Sequence, residues 1–269
     1  MNIVLITAIF AALLAFILGA ALGFFKKFFA VPEDPLVGQI RECLPGANCG
    51  ACGFPGCDAY AAAVASGQAE INHCTVGGVA TAEKLSALVG GNASVIPVVA
   101  VLACQGSSLH APKKGNYTGL QSCRGAKLSS NGTKLCSWGC LGFGDCTLVC
   151  QFGALRMGEN GLPRVDYSKC TGCKVCIAEC PQMLLKEVPR DRHGAMVLCS
   201  NCNPIKPMVS KTCKIACIKC GMCVKNCPQK CIVLENNIPV VDYRKCISCG
   251  TCAAKCPTKV IKILEKDVI

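Results

Sequence analysis

The sequence predicts an α+β chain: one long apolar N-terminal helix, a small and mainly helical domain, then two copies of a module of short strands and short helices. Three observations predict it. Residues Ile3 to Phe25 carry no charge. Cysteine makes up 27 of 269 residues, much of it in tight C-x-x-C runs. Val165-Asp166-Tyr167-Ser168-Lys169-Cys170 recurs as Val241-Asp242-Tyr243-Arg244-Lys245-Cys246, the mark of a duplicated unit.

Residues 1–27 read as a transmembrane anchor, because at about 1.5 Å per residue the charge-free run spans a hydrocarbon core. A signal peptide would start basic and end at a small-residue cleavage site. Here the basic pair Lys26-Lys27 comes after the apolar run. The positive-inside rule then predicts a single pass through the cell (inner) membrane with the soluble part in the cytoplasm. Ala11, Ala15, Gly19 and Gly23 form a stripe of small residues. It reads either as a docking face for membrane partners or as the usual small-residue content of such helices.

Residues 28–37, with Pro32 and Pro35, read as a linker. Residues 38–90 form the small domain, helical near Asp58–Ser66 and Val79–Val89. Residues 91–135 connect it to the repeated modules, with a strand over Val95–Ala103 and a turn-rich stretch at Lys113–Gly119. The modules occupy 136–190 and 214–269, joined by 191–213. Apolar runs at Ala154–Met157, Met183–Val188, Ile232–Leu234 and Val260–Leu264 predict their small hairpin strands.

Cysteine at this density means disulfides in an oxidising compartment or metal centres in a reducing one. The chain is long for a disulfide scaffold, its cysteine count is odd, and cysteines three apart converge on one metal core more readily than they pair. Aromatic residues reach only 5%, less than an ordinary core holds. Bound clusters would replace that core as packing centres, so that apo-protein should be largely unfolded. The formal charge of +12 counts every thiol as neutral. About six four-iron clusters, at about two negative charges each, would cancel it. Neither this balance nor any motif calls for nucleic acid.

The clearest motif is Cys217-x2-Cys220-x2-Cys223-x3-Cys227-Pro228, followed by Cys246-x2-Cys249-x2-Cys252-x3-Cys256-Pro257. This is the pattern of a bacterial-type 2[4Fe-4S] ferredoxin, in which the fourth cysteine of each run ligates the other cluster. It predicts one site from Cys217, Cys220, Cys223 and Cys256, and another from Cys227, Cys246, Cys249 and Cys252. Zinc sites would want two separated pairs per ion. Cys170-x2-Cys173-x2-Cys176-x3-Cys180-Pro181 is a third run. Its partner is irregular: Cys136-x3-Cys140-x5-Cys146-x3-Cys150. By analogy Cys136, Cys140, Cys146 and Cys180 form one site, and Cys150, Cys170, Cys173 and Cys176 the other. Near the membrane, Cys49, Cys52, Cys57 and Cys74 form a fifth, with Cys43 as the alternative to Cys49. Glycines in that loop let backbone amides approach cluster sulfurs. Cys104, Cys123, Cys199 and Cys213 flank the modules. They read equally as a sixth site, with Cys202 as a substitute, or as small buried hydrophobes. Cys231 has no assigned role. His73, His110 and His193 lack catalytic partners, and Trp138 reads as packing beside a cluster. There is no catalytic constellation and no dinucleotide fingerprint.

The anchor, the stretch Leu44-Pro45-Gly46-Ala47-Asn48-Cys49-Gly50-Ala51-Cys52-Gly53-Phe54-Pro55-Gly56-Cys57 and the cysteine runs after it resemble the B subunit of Rnf complexes, in its long cysteine-rich form. Cys43 departs from that pattern, which has a small apolar residue there. The resemblance implies an electron-transfer subunit of a membrane-bound, ion-translocating ferredoxin:NAD oxidoreductase. It implies reduced ferredoxin as electron donor, the other subunits as partners, and NAD chemistry on another chain. Sodium or proton as the coupling ion stays open. Other readings are a polyferredoxin subunit of a membrane hydrogenase and a cysteine-rich storage or structural protein. The near-membrane motif argues against the first and the regular cysteine spacing against the second.

Overall fold

The computed structural model describes residues 3–28, 34–190 and 194–263. The side chains of Lys26 and Lys27, and residues Pro32, His193 and Leu264, lie outside what it describes.

Helix α1 runs over Ile3–Phe28. Its stretch Leu5–Phe25 has a mean hydropathy of 2.7, with none of it buried against the rest of the chain. A helix that is apolar all round and touches no protein finds its partner in lipid or in another membrane helix. Around Gly19 and Gly23 the space is open.

The residues predicted as linker contribute to a helix. Helix α2 begins at Pro35 and runs to Cys43, with Asp34 accepting a hydrogen bond from the Leu36 amide at 2.9 Å. Proline at the first helical position after an aspartate cap is a helix start, because its missing N–H would be unsatisfied there anyway. Helices α3 (Cys57–Ala65) and α4 (Gly78–Val89) follow and pack against α2. Their core holds Ile40, Leu44, Tyr60, Val64, Ile71 and Leu85. Tyr60 is buried and donates its hydroxyl to the Glu70 carbonyl at 2.7 Å.

The rest of the chain is two modules of one design. The first contains β1 (Val98–Leu102), α5 (Cys123–Ser130), α6 (Asp145–Leu148), β2 (Leu155–Met157), β3 (Pro163–Val165), α7 (Val175–Glu179) and β4 (Leu185–Pro189). The second contains β5 (Ala195–Val197), α8 (Lys206–Thr212), α9 (Met222–Lys225), β6 (Ile232–Glu235), β7 (Ile238–Val241), α10 (Thr251–Ala254) and β8 (Ile261–Ile263). Each has an inner antiparallel hairpin, β2–β3 or β6–β7, and an outer antiparallel pair, β1–β4 or β5–β8. Val98 pairs with Pro189 and Leu102 with Leu185; Ala195 pairs with Ile263 and Val197 with Ile261. The segment predicted as connection thus contributes β1 to the first sheet.

The internal repeat is fourfold in its backbone. Each short helix α6, α7, α9 and α10 is preceded by a left-handed residue: Gly144, Lys174, Gly221 and Gly250. A second left-handed residue lies three positions after the last cysteine of each run: Gly153, Met183, Lys230 and Lys259. The irregular run around Cys146 therefore takes the same path as the three regular ones. What differs between it and them is where its other cysteines come from.

The modules meet along their outer strands. The Ala103 amide donates to Leu184, and the Leu198 amide donates to Val260, both at 2.7 Å. Ala103 and Leu198 are thus equivalent positions. Across the joint, the Gln105 amide donates to Leu198 at 3.2 Å, the Gln105 side chain to Ile215 at 2.9 Å, and Ser200 to Ala103 at 3.1 Å.

Candidate iron–sulfur centres

None of the 27 cysteines is in a disulfide. Among the described residues no three metal-binding side chains converge tightly enough for one ion. They gather instead in quartets around cavities, which suits a cube whose four irons each take one sulfur.

In the small domain, the loop before α3 turns through left-handed Asn48, Gly50 and Gly53. Asn48 Oδ1 accepts from the Cys57 amide at 2.8 Å, fixing the loop to the start of the helix. Burial raises the Cys74 pKa, and the charges of Cys52, Cys57 and Cys49 raise it further, so these four thiols share one neighbourhood. Cys43 packs with the apolar core of the domain.

In the first module, Cys150, Cys170, Cys173 and Cys176 line one cavity. Burial pushes Cys176 up to about 12, with the charges of Cys173, Cys170 and Cys150 adding to it. In the second, Cys217 is pushed up to about 11 by burial, with Cys223 and Cys220 close by, and Cys223 feels Cys256. Cys227, Cys246, Cys249 and Cys252 line a further cavity, together with Cys231. The fourth cysteine of each run thus crosses to the other site.

Eight of the remaining ten cysteines group differently from the spacing-based expectation. Cys123, Cys140, Cys146 and Cys180 line one cavity; Cys104, Cys136, Cys199 and Cys213 line another. Cys123 and Cys136 have exchanged places. Burial pushes Cys146 up to about 12, together with the charges of Cys140, Cys123 and Cys180. It pushes Cys136 up to about 11, together with Cys104, Cys199 and Cys213.

The physical reason lies in two hydrogen-bonded ties. Asp145, beside Cys146, accepts from the amides of Cys123 at 2.9 Å and Arg124 at 3.2 Å. A carboxylate at a helix N-terminus satisfies free amides and faces the positive end of the dipole, so α5 and its first residue Cys123 are held against Cys146. Meanwhile the Leu135 amide donates to Pro112 at 2.8 Å and the Lys114 amide to Thr133 at 2.8 Å. This pairing lays Cys136 beside the Gly106–Ala111 loop. Trp138 lines the same cavity. Cys104 and Cys199 occupy equivalent places, each directly after one of the paired residues Ala103 and Leu198. The joint quartet therefore takes two cysteines from each module. That strand-then-cysteine equivalence was readable in Leu102-Ala103-Cys104 and Val197-Leu198-Cys199.

Whether the joint suits a cluster can be tested on its surroundings. A Cβ added to Gly106 would lie 3.5 Å from Cys213 Sγ and 3.6 Å from Cys104 Sγ, so the Gly106 backbone sits against two sulfurs of the joint. The Lys219 ammonium is buried with no hydrogen-bond partner, close to Cys217, Cys199 and Cys202. A buried cation without a counter-charge is costly, and thiolate-bound clusters would supply one. The residues fit.

The quartets also adjoin one another. The Cys49 charge reaches Cys173, adding to the effect of burial there, and the Cys176 charge reaches Cys146 in the same way. The Cys140 amide donates to Cys104 Sγ at 3.4 Å. Cys199 acts on Cys217, and α9 and α10, which carry Cys223 and Cys252, pack together. Two further cysteines adjoin quartets. Cys231 Sγ lies 3.4 Å from Cys227 Sγ, and Cys202 Sγ donates to the Ser200 carbonyl at 3.5 Å. His110 Nδ1 bonds Ser107 Oγ at 2.8 Å, a structural contact.

Comparison with known proteins agrees with this chemistry. An Fe-S cluster family model matches residues 44–76, a 4Fe-4S binding domain 163–185, and a 4Fe-4S dicluster domain 216–260. The chain is 42% identical over 246 residues to the B subunit of the Na+-translocating ferredoxin:NAD+ oxidoreductase complex of Acetobacterium woodii, covering 91% of this chain and 73% of that one. It is 39% identical to the B subunit of the ion-translocating oxidoreductase complex of Methanosarcina acetivorans, covering 86% and 88%. To the B subunit of the proton-translocating ferredoxin:NAD+ oxidoreductase complex of Clostridium ljungdahlii it is 42% identical, covering 90% and 85%.

Proposed function

Because the chain belongs to the B subunits of ion-translocating ferredoxin:NAD oxidoreductase (Rnf) complexes, we propose that it is their electron-transfer wire, carrying six clusters in single file from a soluble donor to the membrane. Each quartet would hold one [4Fe-4S] cluster, a one-electron carrier whose potential is set by its surroundings. The observation that carries the proposal is the contiguity of six cysteine quartets. The order runs from Cys227/Cys246/Cys249/Cys252 to Cys217/Cys220/Cys223/Cys256, then Cys104/Cys136/Cys199/Cys213, then Cys123/Cys140/Cys146/Cys180, then Cys150/Cys170/Cys173/Cys176, and ends at Cys49/Cys52/Cys57/Cys74.

The protein's part is to hold these sulfurs in line, keep water from the inner ones and present the ends. At the far end Cys220 and Cys249 are exposed, as are Lys225, Lys230, Lys245, Lys255 and Lys259. A positive field around an exposed centre steers an acidic partner, and reduced ferredoxin is the donor that such a surface suits. At the other end the small domain follows the apolar helix α1 in sequence, which supports electron exit at the membrane, and the basic pair Lys26-Lys27 after the apolar run supports a cytoplasmic side for the soluble domains. NAD reduction would fall to another subunit. Identity is equal, at 42%, to a relative named for sodium and one named for protons, so overall similarity does not select the ion.

Anaerobic quantitation of iron and sulfide tests the proposal. Six clusters correspond to about 24 irons per chain; reproducible content at or below about 12 would overturn it.

A further inference from the structure

The six quartets differ in what surrounds them, and the joint is the exception. Lys134 is buried, at 6% exposure, and donates to the Gly106 carbonyl at 2.8 Å. Gly106 is the residue where an added Cβ would touch the sulfurs of Cys104 and Cys213. The Lys219 ammonium, buried and without a hydrogen-bond partner, lies near Cys217 of the adjoining quartet and Cys199 of the joint. Among the described residues neither lysine is paired with a carboxylate; the ion pairs that do form involve other residues. Asn201, 2% exposed, turns its Nδ2 to Cys136 Sγ at 3.7 Å while its Oδ1 accepts from the Asn203 amide at 2.9 Å. That second bond fixes the amide so that its donor end faces sulfur.

Each lysine is shared with one neighbour, Lys219 with Cys217 and Lys134 with Cys140, and the joint is the quartet that faces both. Lys174, beside Cys173, is exposed and paired with Glu187 at 2.7 Å. Arg190 is exposed and donates to the Cys170 carbonyl. The lysines of the far end face solvent, where salt screens them. Buried charge acts at much lower dielectric and is screened far less.

Reduction adds one negative charge to a cluster. A fixed positive charge and a donor aimed at a ligand sulfur both stabilise the more negative state, and so raise the reduction potential. We propose that Lys134, Lys219 and Asn201 make the joint quartet Cys104/Cys136/Cys199/Cys213 the highest-potential centre of this chain, the place where the first electron taken from the donor comes to rest. The lysines and the amide act through the sulfurs; they are positioning and tuning residues. The inference rests on the six-cluster reading. It adds that the wire has a well in the middle, filled before electrons reach the membrane end.

The test is a stepwise reductive titration of the anaerobic full-length protein, followed by EPR with iron quantitation. Cys199→Ala identifies the joint signal: iron falls by about four per chain, and the signal that normally appears first, at the highest potential, is missing. Lys134→Met and Lys219→Met keep their iron but both move that first signal to lower potential; each also reaches at most the one adjoining quartet that its lysine faces, and the remaining signals stay in place. Lys134→Arg keeps it where it was. If iron falls in Cys199→Ala while the first signal survives, the assignment of the well is wrong. An unmoved first signal in both methionine variants at full iron content overturns the tuning role. Unchanged iron in Cys199→Ala means that the joint holds no cluster, which sinks the six-cluster reading itself. Should Cys199→Ala not fold, the two methionine variants decide.

Discussion

The exchange of Cys123 and Cys136 between two quartets can be decided by counting iron in double variants. Removing one ligand from a site is expected to cost its cluster, about four irons of about 24. Two substitutions in the same site cost that cluster once; two in different sites cost two. In the structure Cys136 and Cys140 belong to different cavities. Cys136→Ala with Cys140→Ala should therefore leave about 16 irons, and Cys136→Ala with Cys199→Ala about 20. Grouping by sequence spacing gives the reverse, about 20 and about 16. Cys123→Ala offers the mirror pair: with Cys140→Ala it should retain about 20, with Cys199→Ala about 16. The non-additivity is the readout, in the manner of a double-mutant cycle. It cancels any uniform loss of iron during purification. The reasoning is refuted if the Cys136 and Cys140 pair retains about 20 irons while the Cys136 and Cys199 pair falls to about 16.

Three further outcomes rest on the same geometry. Asp145→Ala removes the carboxylate that ties α5 to Cys146, while Ser122 keeps the helix's own N-cap; it should cost about 1 kcal/mol in chemical denaturation and selectively weaken iron retention in the Cys123 quartet, whereas unchanged retention would show that Asp145 does not position Cys123. Cys231 takes the place that Ala154, Leu184 and Val260 hold four residues after the other runs, so Cys231→Ala should keep full iron content; loss of a cluster would make Cys231 a ligand. Electron transfer from reduced ferredoxin, measured by stopped flow, should slow as salt rises, because exposed charges are screened over about 10 Å at 0.1 M. Lys225→Glu or Lys255→Glu should slow the second-order step with clusters intact, and a rate flat with salt and equal in both variants would move the docking site elsewhere.

Local pattern decided much of this protein before any contact was seen. The charge-free run of residues 3–25 specifies a helix that needs lipid, because both properties are local. The x2, x2, x3 spacing in the 170–180, 217–227 and 246–256 runs specifies its own loop, since three cysteines at that interval can only wrap one face of a small core. The strands around Leu155, Leu185, Ile232 and Ile261 were legible as short apolar runs between those loops. A helix start at Asp34-Pro35 was written in the sequence as well, in its cap and its proline, although two prolines close together also look like a linker. What spacing could not decide was the joint. Cys104, Cys123, Cys199 and Cys213 lie far from their partners along the chain, and nothing local says which sulfur faces which. The tie from Asp145 to α5, and the pairing of 112–114 with 133–135, settled it through long-range hydrogen bonds. The burial of Lys134 and of the Lys219 ammonium is likewise invisible in a lysine count, because the same residue type is a solvated charge on one surface and a fixed field beside sulfur in the interior.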